Sequence, residues 1–166
     1  MSQNRGLSKS RNAALRALMR IPVPWVFVLA YLAGVGLEAV FFHNHYLLNT
    51  PFASGAGAFV FLVGAVVAGW GWLIFRKAKT TRVPGETSIT MVNWGPYRFT
   101  RNPMYVGLFI AYLGEAGILR QLFPVLLLPL VFVYLNWVVV PVEEEKLRQT
   151  FGARYEEYHG RVGRWL

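Results

Sequence analysis

The chain has 166 residues, a net charge of +9, and only 15% charged against 55% hydrophobic residues; an ordinary soluble domain carries about 25% charged residues. It has no cysteine, which excludes disulfides, thiolate metal sites and a cysteine nucleophile. In a soluble protein the basic excess would point to nucleic acid, but beside long apolar runs it points to anionic lipid headgroups, and no nucleic-acid partner is expected.

Length suggests one domain, here a single membrane domain over 1–166. Residues 1–22 are a basic N-terminal segment. Within it, 5–20 place Leu7, Leu15 and Leu18 roughly on one side, which suits either an interfacial amphipathic anchor or a positive-inside tail. No cleaved leader is expected, because the polar start is long and no small-residue cleavage site is evident.

Four apolar runs follow, at 23–42, 52–75, 103–119 and 122–140, each near the length a helix needs to cross a bilayer. The first contains Glu38 and the third Glu115. The second has no charge and holds Gly55, Gly57, Gly64, Ala65, Ala68, Gly69 and Gly71, which predicts close helix packing. The fourth contains Pro124 and Pro129, expected to bend that helix or shift its start. Only Arg120 and Gln121 separate the last two runs, so a tight helical hairpin is predicted. The expected fold is all-α: an integral membrane bundle of four transmembrane helices with a C-terminal helix outside the bilayer.

Basic residues set the orientation. Sixteen of the 17 precede the first run, lie between the second and third, or follow the fourth, and only Arg120 lies opposite. Both termini should therefore be cytoplasmic, in a multi-pass protein of the cell inner membrane. Glu38 reads equally as functional or as packing, while Glu115 is expected to pair with Arg120. His43 and His45 read as surface histidines, since further metal ligands are lacking and no metal site is expected.

Chemistry concentrates in two polar segments, 76–102 and 141–166. In the first, Gly95-Pro96 marks a turn, and Pro103 suits the first turn of a helix. The residues before it then lie at a helix N-terminus that favours anions. Arg98 and Arg101 add guanidinium groups suited to a carboxylate or phosphate, and Tyr97 and Tyr105 bring aromatic faces to the interface. In the second, Glu143-Glu144-Glu145 follows the last apolar run, where a new helix is expected to begin after Pro141, with Glu144 and Arg148 as an i,i+4 pair. Acids and arginines from the two segments would share one polar pocket at the membrane surface.

Gly95, Tyr97, Arg101, Asn102, Pro103, Tyr105 and Gly107 form one ordered pattern; Glu143, Glu144, Leu147, Phe151, Gly152, Tyr155 and Tyr158 form a second. Together, with Val162 and Arg164-Trp165 at the end, they resemble the isoprenylcysteine carboxyl methyltransferase and phospholipid methyltransferase superfamily in its small bacterial form, over residues 95–166. That resemblance implies S-adenosylmethionine-dependent methyl transfer to a lipophilic substrate entering sideways from the bilayer. It also implies a cofactor site drawn from Tyr97, Arg98, Arg101, Asn102, Pro103, Met104, Tyr105, Gly107, Glu143, Glu144, Tyr155 and Tyr158, with Glu143, Glu144 and Arg101 nearest the chemistry. The physics is consistent: methyl transfer is an in-line displacement dominated by positioning, tyrosine faces favour a sulfonium, and a guanidinium can hold a carboxylate.

Two departures shape the expectation. Asn102 stands where prenylcysteine-type members have His, so proton transfer by that side chain is excluded. Residues 138–142 lack the arginine some relatives carry before the Glu pair, and Asn136 is the nearest polar residue upstream. An acceptor bearing a carboxylate is therefore less expected than a neutral amine, thiol or hydroxyl. The competing readings are an NADPH-dependent membrane reductase of sterol-reductase-like fold and a non-catalytic membrane interaction protein.

Overall fold

A computed structural model describes residues 22–41, 50–78 and 90–166. The amphipathic reading of 5–20 and the histidines at 43 and 45 lie outside the described residues. Within them all regular structure is helical and no strand occurs. The elements are α1 (Val23–Phe41), α2 (Pro51–Lys77), a 3-10 turn (Gly95–Arg98), α3 (Pro103–Leu119), α4 (Phe123–Tyr134), a π-helical segment (Leu135–Val139), α5 (Val140–Phe151) and α6 (Ala153–Arg161).

Three helices are long and apolar enough to cross a membrane: α1, α2 and the continuous run Phe123–Phe151. The 17-residue α3 is a shorter apolar helix. Phe52, Phe59, Leu62 and Val66 of α2 and Leu126 and Leu130 of α4 are exposed, as suits helices whose outer surface meets lipid tails rather than water.

Helix α2 starts where its sequence predicts. Thr50 caps it by accepting a hydrogen bond from the Ala53 N–H at 3.2 Å, and Pro51 follows in the first turn, where a missing N–H does no harm. The helix then runs antiparallel to α3 along a seam of small residues. A Cβ on Gly57 would lie 2.6 Å from the Ile118 nitrogen, on Gly64 2.2 Å from the Ala111 nitrogen, and on Gly71 3.0 Å from Met104 Cγ. From the other side, Gly107 meets Ala68 and Gly114 meets Phe61 at backbone distance. Glycines 57, 64 and 71 recur every seven residues, the spacing that keeps one face of a helix on its partner. Gly55 and Gly69 meet nothing within 4 Å, so only part of the small-residue set serves the seam.

The turn at residues 120–122 joins α3 to α4. Arg120 adopts a left-handed conformation with φ of 58°, and its Nε donates to Ser54 Oγ at 2.9 Å. Pro124 occupies the first turn of α4 and Pro129 lies inside it. Helix α1 packs against α4. Gly34 lies under Pro124, where a Cβ would come within 2.6 Å of its Cα. One turn further along α1, the buried Glu38 carboxylate accepts from Leu122 N–H at 3.0 Å and Phe123 N–H at 3.1 Å. Glu38 is thus a cap supplied by one helix to the N-terminus of another, satisfying donors left over by helix geometry. Aromatic packing fills the space between: Phe27 and Tyr31 of α1 meet Tyr112 of α3 edge-on, beside Val131, Leu135 and Val139.

The helix expected after Pro141 is α5, which starts at Val140 with Pro141 in its first turn, but it is continuous with the run from Phe123, so no break separates it from the last apolar span. Pro141 has no N–H to bond, and its ring would crowd the carbonyl four residues back. The helix widens instead: the Val140 N–H bonds back to the Leu135 carbonyl, five residues away. The carbonyl of Asn136 would need the missing N–H of Pro141 to continue that pattern, so it is left for a partner outside the helix.

Two stability measurements in detergent test this packing. Gly64→Ala is expected to destabilise by about 1–3 kcal/mol through overpacking, whereas Gly69→Ala is expected to be neutral or stabilising by up to about 1 kcal/mol. Equal melting temperatures for the two variants would refute the seam. Glu38→Ala removes the acceptor of two half-buried N–H groups and should cost about 1–3 kcal/mol, with Glu38→Gln recovering part; an Ala variant as stable as the parent would contradict the cap.

Candidate functional site

The polar cluster forms at the end of the bundle where α2 finishes and α3 begins. Gly95, with φ of 63°, starts the 3-10 turn pressed against Ile74, where any Cβ would lie 2.2 Å from Cδ1; glycine supplies both the conformation and the clearance. The turn delivers Tyr97 into a buried position. The chain then passes through Thr100, Arg101 and Asn102 to Pro103, the first residue of α3.

The three consecutive acids take different partners. Glu143 Oε1 accepts a 2.8 Å hydrogen bond from the Tyr105 hydroxyl, and no hydrogen bond to its other oxygen is made among the described residues. Glu144 is buried between two arginines. Arg164 grips it bidentately, Nε to Oε1 at 3.0 Å and Nη2 to Oε2 at 2.6 Å, and Arg101 Nη2 lies 3.2 Å from Oε1. Glu145 faces outward and pairs with Arg148 at 3.2 Å. The expected Glu144–Arg148 pair is therefore replaced: Arg148 bonds Glu145 and Glu156, because Glu144 points inward along with the buried face of α5.

Arg164 also reaches the widened turn. Its Nη1 donates to the Asn136 carbonyl and to Asn136 Oδ1, both at 3.2 Å, supplying the partner that Pro141 cannot. Trp165 Nε1 donates to the same Oδ1 at 2.9 Å, and its ring lies between Phe109 of α3 and Phe132 of α4. Three further bonds stitch this tail to the Arg101 segment. The Arg101 N–H donates to the Gly163 carbonyl at 3.0 Å. The Thr100 hydroxyl and the Asn102 amide both donate to the Arg164 carbonyl, at 3.1 and 3.0 Å.

Helix α6 closes the remaining side. Gly152, with φ of 52°, turns the chain from α5, so that Tyr155 and Tyr158 are buried. The Tyr158 hydroxyl donates to the Tyr97 carbonyl at 2.7 Å. Burial pushes the Tyr158 hydroxyl up to about 12 and raises that of Tyr97 as well, so both remain protonated donors near neutral pH. Burial first, and then the Glu144 carboxylate, push the Tyr155 hydroxyl up, with Arg101 pulling the other way.

One feature of this cluster points to a ligand. Among the described residues, Arg101 Nε, Arg101 Nη1 and the Tyr155 hydroxyl are buried and make no well-formed hydrogen bond, although Arg101 and Tyr155 lie close enough to interact, while Arg164 has bonds from Nε, Nη1 and Nη2. A buried polar group left without a partner costs about 1–3 kcal/mol, more when charged. Donors of this kind suit an anionic acceptor such as a carboxylate, and the neighbouring Glu143 oxygen suits a cation. The donor set and the acid beside it thus suit a ligand that carries both an anionic and a cationic group.

Of the residues predicted for the site, Tyr97, Arg101, Asn102, Tyr105, Glu143, Glu144, Tyr155 and Tyr158 come together here. Arg98 is exposed. Pro103 and Met104 pack against Gly71, and Gly107 against Ala68, so these three serve the α2–α3 seam. Thr100, Asn136, Arg164 and Trp165 join the cluster without having been predicted for it; the signals for them are a polar residue inside an apolar run, as Asn136 is, and the place of Arg164-Trp165 at the end of the second pattern.

A search of curated proteins finds no match to this chain. The phospholipid methyltransferase family model matches residues 52–154, well over half of the sequence. That stretch includes α2, the Arg101–Tyr105 segment, α3, α4 and the acids of α5. The chain therefore belongs to the phospholipid methyltransferase family, whose activity is methyl transfer and whose apolar helices place it in a membrane.

Proposed function

We propose that the protein is an S-adenosylmethionine-dependent methyltransferase acting on a lipophilic acceptor dissolved in the membrane. The observation that carries this reading is the pair of Arg101 nitrogens buried beside two glutamates without a well-formed hydrogen bond among the described residues, in a chain of a methyltransferase family. When bound, the cofactor supplies an electrophilic methyl group on a sulfonium. Arg101 would hold its carboxylate. Tyr97, Asn102, Tyr155 and Tyr158 would wall the site and exclude water. Glu143, held by Tyr105 and open at its second oxygen, would bind a cationic group or accept the proton that a neutral acceptor loses. Family membership favours this reading over a reductase or a non-catalytic protein.

The acceptor class follows from charge. Arg164 does reach the Asn136 region just before the acids, but its three nitrogens are already bonded to Glu144 and Asn136. Among the described residues no spare guanidinium there would receive an acceptor carboxylate, so an amine, hydroxyl or thiol is the better fit.

The same reading places four spans in the membrane. At 1.5 Å per residue α3 is about 25 Å long, the short end of what crosses a bilayer, and it would pair with α4 as a tight membrane hairpin. Arg76, Lys77, Arg98, Arg101 and Arg164 lie on the site side of the bundle, and Arg120 lies at the other end beside Ser54. The positive-inside rule then puts the site and both termini in the cytoplasm, where the cofactor is available, and the protein in the cell inner membrane.

Calorimetry on detergent-purified protein tests this. S-adenosylmethionine or S-adenosylhomocysteine is expected to bind saturably, and Arg101→Ala to weaken binding at least tenfold, about 1.4 kcal/mol. Methyl transfer to extracted membrane lipids is expected to fall about a hundredfold in Glu143→Gln. A folded parent protein that binds neither cofactor form would rule the proposal out.

A further inference from the structure

The tail residue Arg164 lies beyond the segment that the family model matches, yet it makes the shortest contact to Glu144. Both Glu144 oxygens are engaged by it, at 3.0 and 2.6 Å. Its third nitrogen is tied to the Asn136 carbonyl that the helix cannot satisfy. Arg164 is thus fixed at both ends, and through it the Glu144 carboxylate is fixed in orientation. Arg101 touches that carboxylate through Nη2 alone, at 3.2 Å, and among the described residues its Nε and Nη1 make no well-formed hydrogen bond.

If Glu144 were free to turn, the Arg101 guanidinium would be expected to satisfy itself on both carboxylate oxygens, as arginine–carboxylate pairs commonly do. Competition from a second, fully anchored arginine prevents this. We propose that Arg164 is a positioning residue: by saturating Glu144 it keeps Arg101 only partly paired and ready to receive the carboxylate of an amino-acid-bearing ligand. Two arginines against Glu144 also leave the triad with one net positive charge, in a region of low exposure where charge is weakly screened. This inference rests on the cofactor reading above but makes a separate claim about where the discrimination comes from.

The test compares S-adenosylmethionine with decarboxylated S-adenosylmethionine, which retains the sulfonium and the amine and lacks only the carboxylate. The purified parent protein is expected to bind the intact form at least roughly tenfold more tightly, as befits a charge-assisted hydrogen bond. In Arg164→Gln that ratio should collapse towards one, chiefly through weaker binding of the intact form. Arg164→Lys, which keeps the charge but loses the bidentate grip, should retain part of it and serves as the folded comparison if the Gln variant does not fold. Trp165→Phe removes the tail's other hydrogen bond to Asn136 and should leave the ratio intact. A purely structural tail would lower affinity for both ligands equally and would respond to Trp165→Phe as to Arg164→Gln; either result overturns the positioning role. Retention of the full ratio in Arg164→Gln overturns it too, while leaving the cofactor reading standing. Failure of the parent protein to bind either form overturns the cofactor reading itself.

Discussion

A missing N–H at Pro141 is the constraint from which the site is built. A proline inside a helix removes one hydrogen bond and crowds the carbonyl one turn back. The run Phe123–Phe151 accommodates it by widening into a π segment, a distortion often found at functional sites. Widening moves the problem without removing it, because the Asn136 carbonyl still lacks a helical donor. In an apolar bundle such a group cannot turn to water, and the guanidinium of Arg164 supplies the bond. The same guanidinium then has one direction left in which to donate, and Glu144 stands there. A backbone defect thus anchors a side chain, and the side chain orients an acid.

The other half of the cluster is positioned by the α2–α3 seam. Glycines every seven residues let two antiparallel helices approach to backbone contact, an interface type suited to membranes, where apolar side chains gain little by leaving lipid. The seam ends with Gly71 against Pro103 and Met104, which fixes the start of α3 and therefore Arg101 and Asn102 immediately before it. Glu38 holds the far end by capping α4 from α1. With both ends held, the Arg101 segment and the acids of α5 meet at a defined separation, and the tail from Gly163 to Trp165 ties them together.

What could be read from the sequence divides along the range of the interactions. Apolar runs and turn glycines act within a few positions, so the helices, the first-turn proline at 103 and the Gly95-Pro96 turn were all readable. Both ordered motifs were readable too, since each is nearly contiguous. The partners were not. Three adjacent glutamates look alike in sequence, and only the direction each takes from α5 separates Tyr105, Arg101 with Arg164, and Arg148 as their contacts. The Glu144–Arg148 pair followed from treating α5 as an isolated helix, and tertiary burial overrode it. Proline at 141 marks a helix start in sequence, and α5 does begin at Val140; that the run from Phe123 widens rather than breaks before it depends on a donor arriving from 28 residues away.

The expectation most altered by the fold concerns the absent arginine before the acids. Residues 138–142 contain none, which on sequence grounds removes a cation from that place. In three dimensions the tail returns one: Arg164 stands against Asn136 and Glu144. A cation restored in this way is nonetheless different in kind, because its hydrogen-bonding capacity is spent on the chain itself, whereas that of Arg101 is not. Charge alone would suggest two equivalent anion sites, and the hydrogen-bond inventory distinguishes them. On the proposed reading the partly paired guanidinium of Arg101 faces the cofactor carboxylate, and the acceptor meets Glu143. An acid at that place favours an acceptor that is neutral or basic at its reacting end.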